Sequence, residues 1–155
     1  MAKKKQQSKL GKLPVRHKFF LNPYPDDRFT RCPMCQGTMK QRKRPFLIHI
    51  DPHVLLTLNM TTRYCPACDL IIMHQDVLED LLVRSLEQKM PDIIGNDYLV
   101  IGTVERATWR TAQKQPLDHA ALFAGLAEFN EVLVFEPAQR GWLPDPDNKD
   151  TPTHD

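Results

Sequence analysis

The stretches Cys32-Pro33-Met34-Cys35 and Cys65-Pro66-Ala67-Cys68 contain all four cysteines of this 155-residue chain. In each stretch two residues separate the cysteines, and a tight turn of that length presents two thiolates from one side to a metal ion. Tetrahedral zinc takes four such ligands at about 2.3 Å. The spacing therefore predicts one structural zinc ion. The predicted ligands are Cys32, Cys35, Cys65 and Cys68.

Three other uses of four cysteines are two disulfides, a dithiol redox site and an iron–sulfur cluster. Disulfides belong to oxidising compartments, whereas residues 1–7 are charged and lead into no apolar core of a signal peptide. A redox dithiol needs one pair near a β-α unit, and iron–sulfur ligands usually have less symmetric spacing. These patterns favour zinc and predict a cytoplasmic protein.

The 29 residues between Cys35 and Cys65 predict a long β-hairpin. Residues 38–50 and 54–61 contain strong β-formers, and Asp51-Pro52-His53 provides the turn between them. A metal ion at the base of this hairpin would join the two cysteine turns.

On these two C-P-x-C turns and the hairpin between them, the chain resembles the zinc-ribbon proteins over residues 31–73. The resemblance implies a structural metal and a small β-sheet. Zinc ribbons occur in transcription, translation, replication and protein-interaction modules, so the resemblance implies no single function. Residues 63–70 and 95–102 are also similar to segments of uncharacterised bacterial proteins that contain zinc ribbons.

Beyond the second cysteine pair, the pattern predicts a short third strand at residues 70–73 and an amphipathic helix at residues 76–90. Asp76, with Glu79 three positions later, is typical of an N-terminal cap. Pro91 is expected to end this helix.

The remaining sequence predicts a small β-α-β unit, with a strand at 97–104, an Ala-rich helix at 118–129 and a strand at 131–136. We therefore expect an α+β fold in which a zinc ribbon precedes a helix and this unit. The predicted domains are a basic flexible arm at 1–27, the ribbon with its helix at 28–90, the α/β unit at 91–142 and a disordered acidic tail at 143–155.

Positive charge is concentrated in the first part of the chain. Residues 1–44 contain thirteen Lys and Arg and two acidic residues, for a local charge of +11, whereas residues 45–155 have a charge of −9. This segregation predicts that a basic segment binds a polyanion. The residues predicted to contact nucleic acid are Lys3, Lys4, Lys5, Lys9, Lys12, Arg16, Lys18, Lys40, Arg42, Lys43 and Arg44.

Aromatic residues follow the basic arm and have two interpretations. They either stack on bases, as in single-strand binding proteins, or pack across the ribbon. The residues in question are Phe19, Phe20 and Tyr24. Strand alternation also places Lys40, Arg42 and Arg44 on one face of the hairpin, where they either contact phosphates or form a solvated sheet face.

Polar residues near the hairpin turn raise the question of catalysis. His49, Asp51 and His53, with His74 beyond the second cysteine pair, have the chemistry of a second metal site or a proton-transfer site. However, the sequence has no glycine-rich phosphate loop, nucleophile elbow or metalloprotease motif. A four-thiolate zinc also lacks the open coordination position that metal catalysis needs. We therefore expect no catalytic residues and no enzymatic activity.

Two functions follow from these patterns. The first is a zinc-ribbon protein that contacts nucleic acid or a nucleoprotein assembly through residues 1–44. The second is a protein-interaction adaptor whose ribbon is purely structural and whose α/β unit binds a partner protein. No apolar run approaches the roughly 20 residues that cross a bilayer, so no membrane association is expected.

Overall fold

The computed structural model of the chain describes residues 10–136 and has a mixed α+β fold with a seven-stranded sheet. The strands are β1 (Lys18–Asn22), β2 (Lys40–Ile50), β3 (Val54–Cys65), β4 (Leu70–His74), β5 (Tyr98–Val104), β6 (Leu126–Glu128) and β7 (Glu131–Val132). The helices are α1 (Gln75–Leu86), α2 (Arg106–Lys114) and α3 (His119–Ala124), with a 3-10 turn at Pro91–Ile93. Neighbouring strands follow the order β6-β5-β2-β3-β4-β1-β7.

The β2–β3 hairpin forms the centre of this sheet. Its strands pair antiparallel from Lys40 opposite Tyr64 to Ile50 opposite Val54, which confirms the predicted hairpin between the cysteine turns. β5 pairs antiparallel with the second half of β2, and β4 pairs antiparallel with the last three residues of β3. β4 and β5 therefore confirm the strands predicted at 70–73 and 97–104.

Backbone hydrogen bonds join the two outer edges of the curled sheet. The N–H of Leu13 donates to the carbonyl of Leu126 at 3.2 Å, and the N–H of Arg16 donates to the carbonyl of Glu128 at 2.9 Å. After this contact with β6, the chain enters β1, which pairs in parallel with both β4 and β7. Residues 12–22 thus close the sheet.

The expectation of a flexible arm through residue 27 is wrong for residues 18–22, which form β1. Phe19 and Phe20 are only 3% and 1% exposed. The ring of Phe19 stacks on that of Phe129 with centroids 4.2 Å apart, and Tyr24 packs against the cluster that contains Phe20. The apolar rings gain more from burial in the sheet than from exposure, so the packing interpretation of these residues is the correct one.

α1 covers one face of the sheet with an apolar stripe. Leu78, Leu82 and Leu86 are buried, and they pack against inward-facing residues of β2, β3 and β4. The spacing of four residues places all three on one side of the helix. The predicted amphipathic helix is therefore confirmed.

The start of α1 differs from the prediction. The helix begins at Gln75, and His74 occupies the N-cap position without a side-chain capping hydrogen bond. Asp76 is therefore not the cap. Its Oδ1 accepts the N–H of Val77 at 2.9 Å and also pairs with Arg28 at 3.3 Å. A carboxylate in the first helical turn still interacts favourably with the helix dipole.

The end of α1 also differs, because the helix stops at Leu86 and not at Pro91. Leu86 is the last member of the buried stripe, and the residues that follow it are exposed. The N–H of Met90 donates to the carbonyl of Leu86 at 2.8 Å and forms a turn beyond the helix. Loss of the buried stripe, which supplies most helical stability, ends the helix before the proline does.

The predicted helix at 118–129 is wrong in length. α3 begins after Asp118, whose side chain accepts the N–H of Ala121, but it ends at Ala124. Gly125 follows, where a Cβ atom would lie 2.2 Å from the Oγ1 of Thr108. This close approach requires glycine and separates α3 from β6.

The predicted β-α-β unit is likewise corrected. β6 pairs antiparallel with β5, whereas β7, which covers only Glu131–Val132 of the strand expected at 131–136, pairs in parallel with β1. These strands extend the sheet of the hairpin because their apolar faces complete its core. The domain boundaries proposed at residues 27, 90 and 142 stay predictions, and the acidic tail at 143–155 lies outside the described residues.

α2 was not predicted from the sequence. Its nine residues include none that is fully buried, and only Thr108, Trp109 and Ala112 are half-buried. A helix that buries so little produces a weak apolar periodicity. Its position is set by contacts with the hairpin, including a hydrogen bond from Arg106 Nη2 to the carbonyl of Lys43 at 2.9 Å.

The packing of α1 leads to the first prediction. Leu78→Ala removes a side chain with 0% exposure and should lower the free energy of unfolding by about 2–5 kcal/mol, because it leaves a cavity in the main core. Leu99→Ala is the matched control, since Leu99 is 64% exposed and should cost no more than about 0.5 kcal/mol. Urea denaturation of the intact protein measures both. Equal costs would contradict this assignment of the core.

Candidate metal centre

The four cysteine sulfurs converge at the base of the β2–β3 hairpin. All four lie within 4.8 Å of one another. The Sγ atoms of Cys32 and Cys68 are 3.9 Å apart, and those of Cys35 and Cys65 are 3.6 Å apart. Tetrahedral ligands at 2.3 Å from a metal lie about 3.8 Å from each other. The donor set and its spacing therefore fit a single metal ion bound by four sulfurs.

The two turns have the same local conformation. The residue after the second cysteine, Gln36 in one turn and Asp69 in the other, adopts a positive φ of 67° and 56° respectively. In the first turn, the N–H of Cys32 donates to the carbonyl of Gly37 at 2.7 Å. This left-handed position reverses the chain directly after each cysteine pair, so that both thiols point to the same side.

Backbone N–H groups also point at the sulfurs. The N–H of Met34 donates to the Sγ of Cys32 at 3.3 Å, and the N–H of Gly37 donates to the Sγ of Cys35 at 3.4 Å. A hydrogen bond to the charged form of a group favours that form. Accordingly, the Gly37 N–H lowers the pKa of Cys35.

The other shifted thiols hold their protons more strongly. Burial raises the pKa of Cys32, and burial followed by the neighbouring thiols raises the pKa of Cys68 to about 12. A metal ion binds thiolates and must displace these protons. Binding is therefore coupled to proton release.

An apolar cluster surrounds one side of the centre. Cys32 and Cys65 are 0% and 2% exposed and pack with buried neighbours from β1, β4 and the first turn. These neighbours are Phe20, Phe29, Met39, Leu70 and Ile72. Such a shell limits the access of water to the sulfurs.

Asp69 links the second turn to the rest of the sheet. Its Oδ1 lies 2.7 Å from Nδ1 of His17 and accepts the hydroxyl of Tyr64 at 2.8 Å. Its carbonyl accepts the N–H of Lys18 at 2.8 Å, and Lys18 Nζ donates to the carbonyl of Cys68 at 3.1 Å. The end of the metal-binding turn is thus held by β1.

Arg44 completes this network from β2. Its Nη1 donates to Nε2 of His17 at 3.0 Å, and its guanidinium lies 4.8 Å from the centroid of the Tyr64 ring. Because a guanidinium only donates, Nε2 is the acceptor and Nδ1 carries the proton that is donated to Asp69. Burial lowers the pKa of His17, which agrees with a neutral imidazole. The sequence gave no signal for His17, since no spacing connects it to Asp69.

The residues predicted to bind nucleic acid fall into three groups. Lys3, Lys4, Lys5 and Lys9 lie outside the described residues. Lys18 and Arg44 make the internal hydrogen bonds described above, so they are not free for phosphates. The side chains that are exposed to solvent are Lys12, Arg16, Lys40, Arg42 and Lys43.

The histidines near the hairpin turn do not gather around one point. His49 Nδ1 lies 3.7 Å from Asp51 Oδ1, and His53 is exposed. His74 Nδ1 is 3.0 Å from the amide nitrogen of Asn22. Within residues 10–136, the four cysteines are the only group of at least three metal-ligating side chains with the required proximity.

Comparisons with known proteins found no match among protein-family models, curated proteins or solved structures. None of the helices within residues 10–136 has the length and apolar character needed to cross a membrane. Four cysteines that can hold one metal ion are the candidate functional site of this chain.

The metal centre generates the second prediction. Cys65→Ser should abolish stoichiometric metal binding and unfold residues 31–73, because metal binding and folding are coupled by roughly 10–16 kcal/mol in zinc-finger peptides. Met34→Ser is the matched control, since Met34 lies in a cysteine turn but is 46% exposed and is not a ligand. Elemental analysis and amide exchange measure both effects. Unchanged exchange in the metal-free protein would contradict a structural role.

The third prediction concerns pH. Since the pKa of Cys68 is raised to about 12, its thiol is protonated in the metal-free protein, and metal binding must release that proton. The apparent metal affinity should therefore fall at least about tenfold for each pH unit from roughly pH 8 to pH 6. Competition with a chelator of known affinity measures it. Equal affinity at both pH values would show that the thiols are not the ligands.

Proposed function

We propose that the protein binds one structural zinc ion through its four cysteines and contacts nucleic acid through an adjacent basic face. Zinc is the natural ion for four thiolates in tetrahedral geometry, and the sulfur separations of 3.6 and 3.9 Å support it. Elemental analysis of the purified protein identifies the ion. An iron–sulfur cluster would instead give visible absorption and iron.

The basic face combines residues from two elements. Lys40, Arg42 and Lys43 are exposed on the zinc-proximal half of β2. Arg106, Arg110 and Lys114 are exposed on α2, and their spacing of four residues places them along one side of the helix.

One contact carries this proposal, the hydrogen bond of 2.9 Å from Arg106 Nη2 to the carbonyl of Lys43. It places the first cation of α2 beside β2, so that the two sets of charges are continuous. Arg106 also lies 5.9 Å from the ring of Trp109, which adds an aromatic surface next to the cations. Cations with neighbouring aromatics suit single-stranded nucleic acid.

The charges of the basic face have no acidic partner within residues 10–136. The ion pairs in this part of the chain involve other side chains, which are His17, Arg28, His49 and Arg84 with their aspartates. Uncompensated cations on a folded surface attract polyanions. The metal centre at the base of β2 would hold three of these cations in a fixed position.

The fourth prediction tests nucleic-acid binding. If about six phosphates are neutralised, the logarithm of affinity should fall with the logarithm of salt concentration at a slope near −4 to −5. Replacing Arg106, Arg110 and Lys114 together by Gln should reduce the magnitude of this slope by about 2–3. Fluorescence anisotropy with labelled single- and double-stranded DNA and RNA of about 20 nucleotides measures the slopes.

Arg84→Gln is the control for this experiment, because it removes one cation from α1, outside the basic face. It should leave the slope unchanged. Absence of binding at low salt, or a triple variant with the slope of the original protein, would contradict the proposal.

A further inference from the structure

One edge of β3 has no strand partner along most of its length. β3 pairs with β2 from Val54 to Tyr64, but it pairs with β4 only from Arg63 to Cys65. In an antiparallel pair, alternate residues direct their N–H and C=O groups away from the partner strand. Residues 54–62 therefore present an open edge of about 30 Å that no other strand within residues 10–136 covers.

The sequence of this edge lacks the usual protections against strand pairing. Natural edge strands carry charged residues, proline or bulges that prevent the addition of another chain. Residues 54–62 read Val-Leu-Leu-Thr-Leu-Asn-Met-Thr-Thr and contain no charge and no proline. The β2–β3 pairing also runs through them without a bulge. The edge is thus built as a surface for pairing.

A groove of about 600 Å³ runs along this edge. Its floor includes five consecutive residues, 55–59, so it follows the edge of the strand and not one face of the sheet. One wall is formed by Ser85 of α1 and by Lys89, and the opposite wall by Trp109 and Gln113 of α2. The groove is open to solvent, and its floor residues are half-buried.

Asn59 marks a polar position in this groove. Its Oδ1 is shielded from solvent and has no hydrogen-bond partner in the described part of the chain. A buried acceptor without a donor is unfavourable by about 1–3 kcal/mol. A backbone N–H from a chain lying in the groove is the kind of donor that this amide lacks.

The shape and charge of the groove select the occupant. Lys89 is the only charged side chain that lines it, which favours a carboxylate in the ligand. A second copy of the sheet is a poor fit, because pairing of two β3 edges would bring α1 and α2 of both copies together. The terminal segments are also poor strands, since residues 1–9 are basic and residues 137–155 contain four prolines.

We propose that the open edge of β3 binds an extended peptide segment of a partner protein, which adds a strand to the sheet between α1 and α2. The backbone of residues 54–62 supplies the hydrogen bonds, and the helices provide contacts for the side chains of the peptide. The preferred segment has alternating apolar residues and an acidic residue opposite Lys89. This site is independent of the metal centre and of the basic face.

The test begins with selection of peptides of about ten residues from a random display library on the full-length, metal-loaded protein. The highest-affinity peptide is then synthesised with free and with alternately N-methylated amides. We expect the unmethylated peptide to slow amide exchange in residues 54–62, and N-methylation to weaken binding at least about tenfold. Ser85→Tyr, which fills the groove from an exposed position, should weaken it similarly, whereas Gln88→Tyr should not.

Several outcomes would overturn the proposal. These are failure to select any peptide, binding that leaves the exchange of residues 54–62 unchanged, and binding that is insensitive to both N-methylation and Ser85→Tyr. Faster exchange of this edge after truncation at residue 136 would assign the groove to the C-terminal segment. A concentration-dependent dimer that Ser85→Tyr dissociates would assign it to a second copy.

Discussion

The convergence of four thiols at the base of the β2–β3 hairpin is the constraint on which the rest of the structure depends. Cys32 and Cys35 precede β2, whereas Cys65 ends β3 and Cys68 precedes β4. Sulfurs that lie 3.6 to 3.9 Å apart across these two turns fix the open end of the hairpin. Four thiolates this close repel one another unless a cation lies between them, so the arrangement is suited to a bound metal.

This constraint is passed to the sheet by the polar network around Asp69. A carboxylate next to the last cysteine accepts from the neutral imidazole of His17, and that imidazole accepts from Arg44 on β2. Hydrogen bonds among partly buried groups are costly to leave incomplete. The second cysteine turn, β1 and β2 are therefore held in one arrangement, and two residues that looked like phosphate ligands serve the fold.

The hairpin presents different chemistry along its length. Near the cysteines it bears the exposed cations of the basic face, to which α2 contributes three more. Nearer the turn, the outer edge of β3 is apolar and uncharged. One rigid element can thus support the two proposed contacts, with nucleic acid and with a peptide, since they use separate surfaces. The metal centre would act on both by keeping the hairpin in register.

The sequence by itself determined the four sulfur ligands, the hairpin, β4, β5 and the amphipathic character of α1, because each depends on short-range spacing, turn residues or periodicity. Only the tertiary structure decided the rest. β6, β7 and residues 12–22 join one curled sheet through pairings between residues more than 100 positions apart, and no local pattern encodes such pairings. For the same reason, the His17–Asp69–Arg44 network and the open edge of β3 could not be predicted, since both depend on which strands become neighbours.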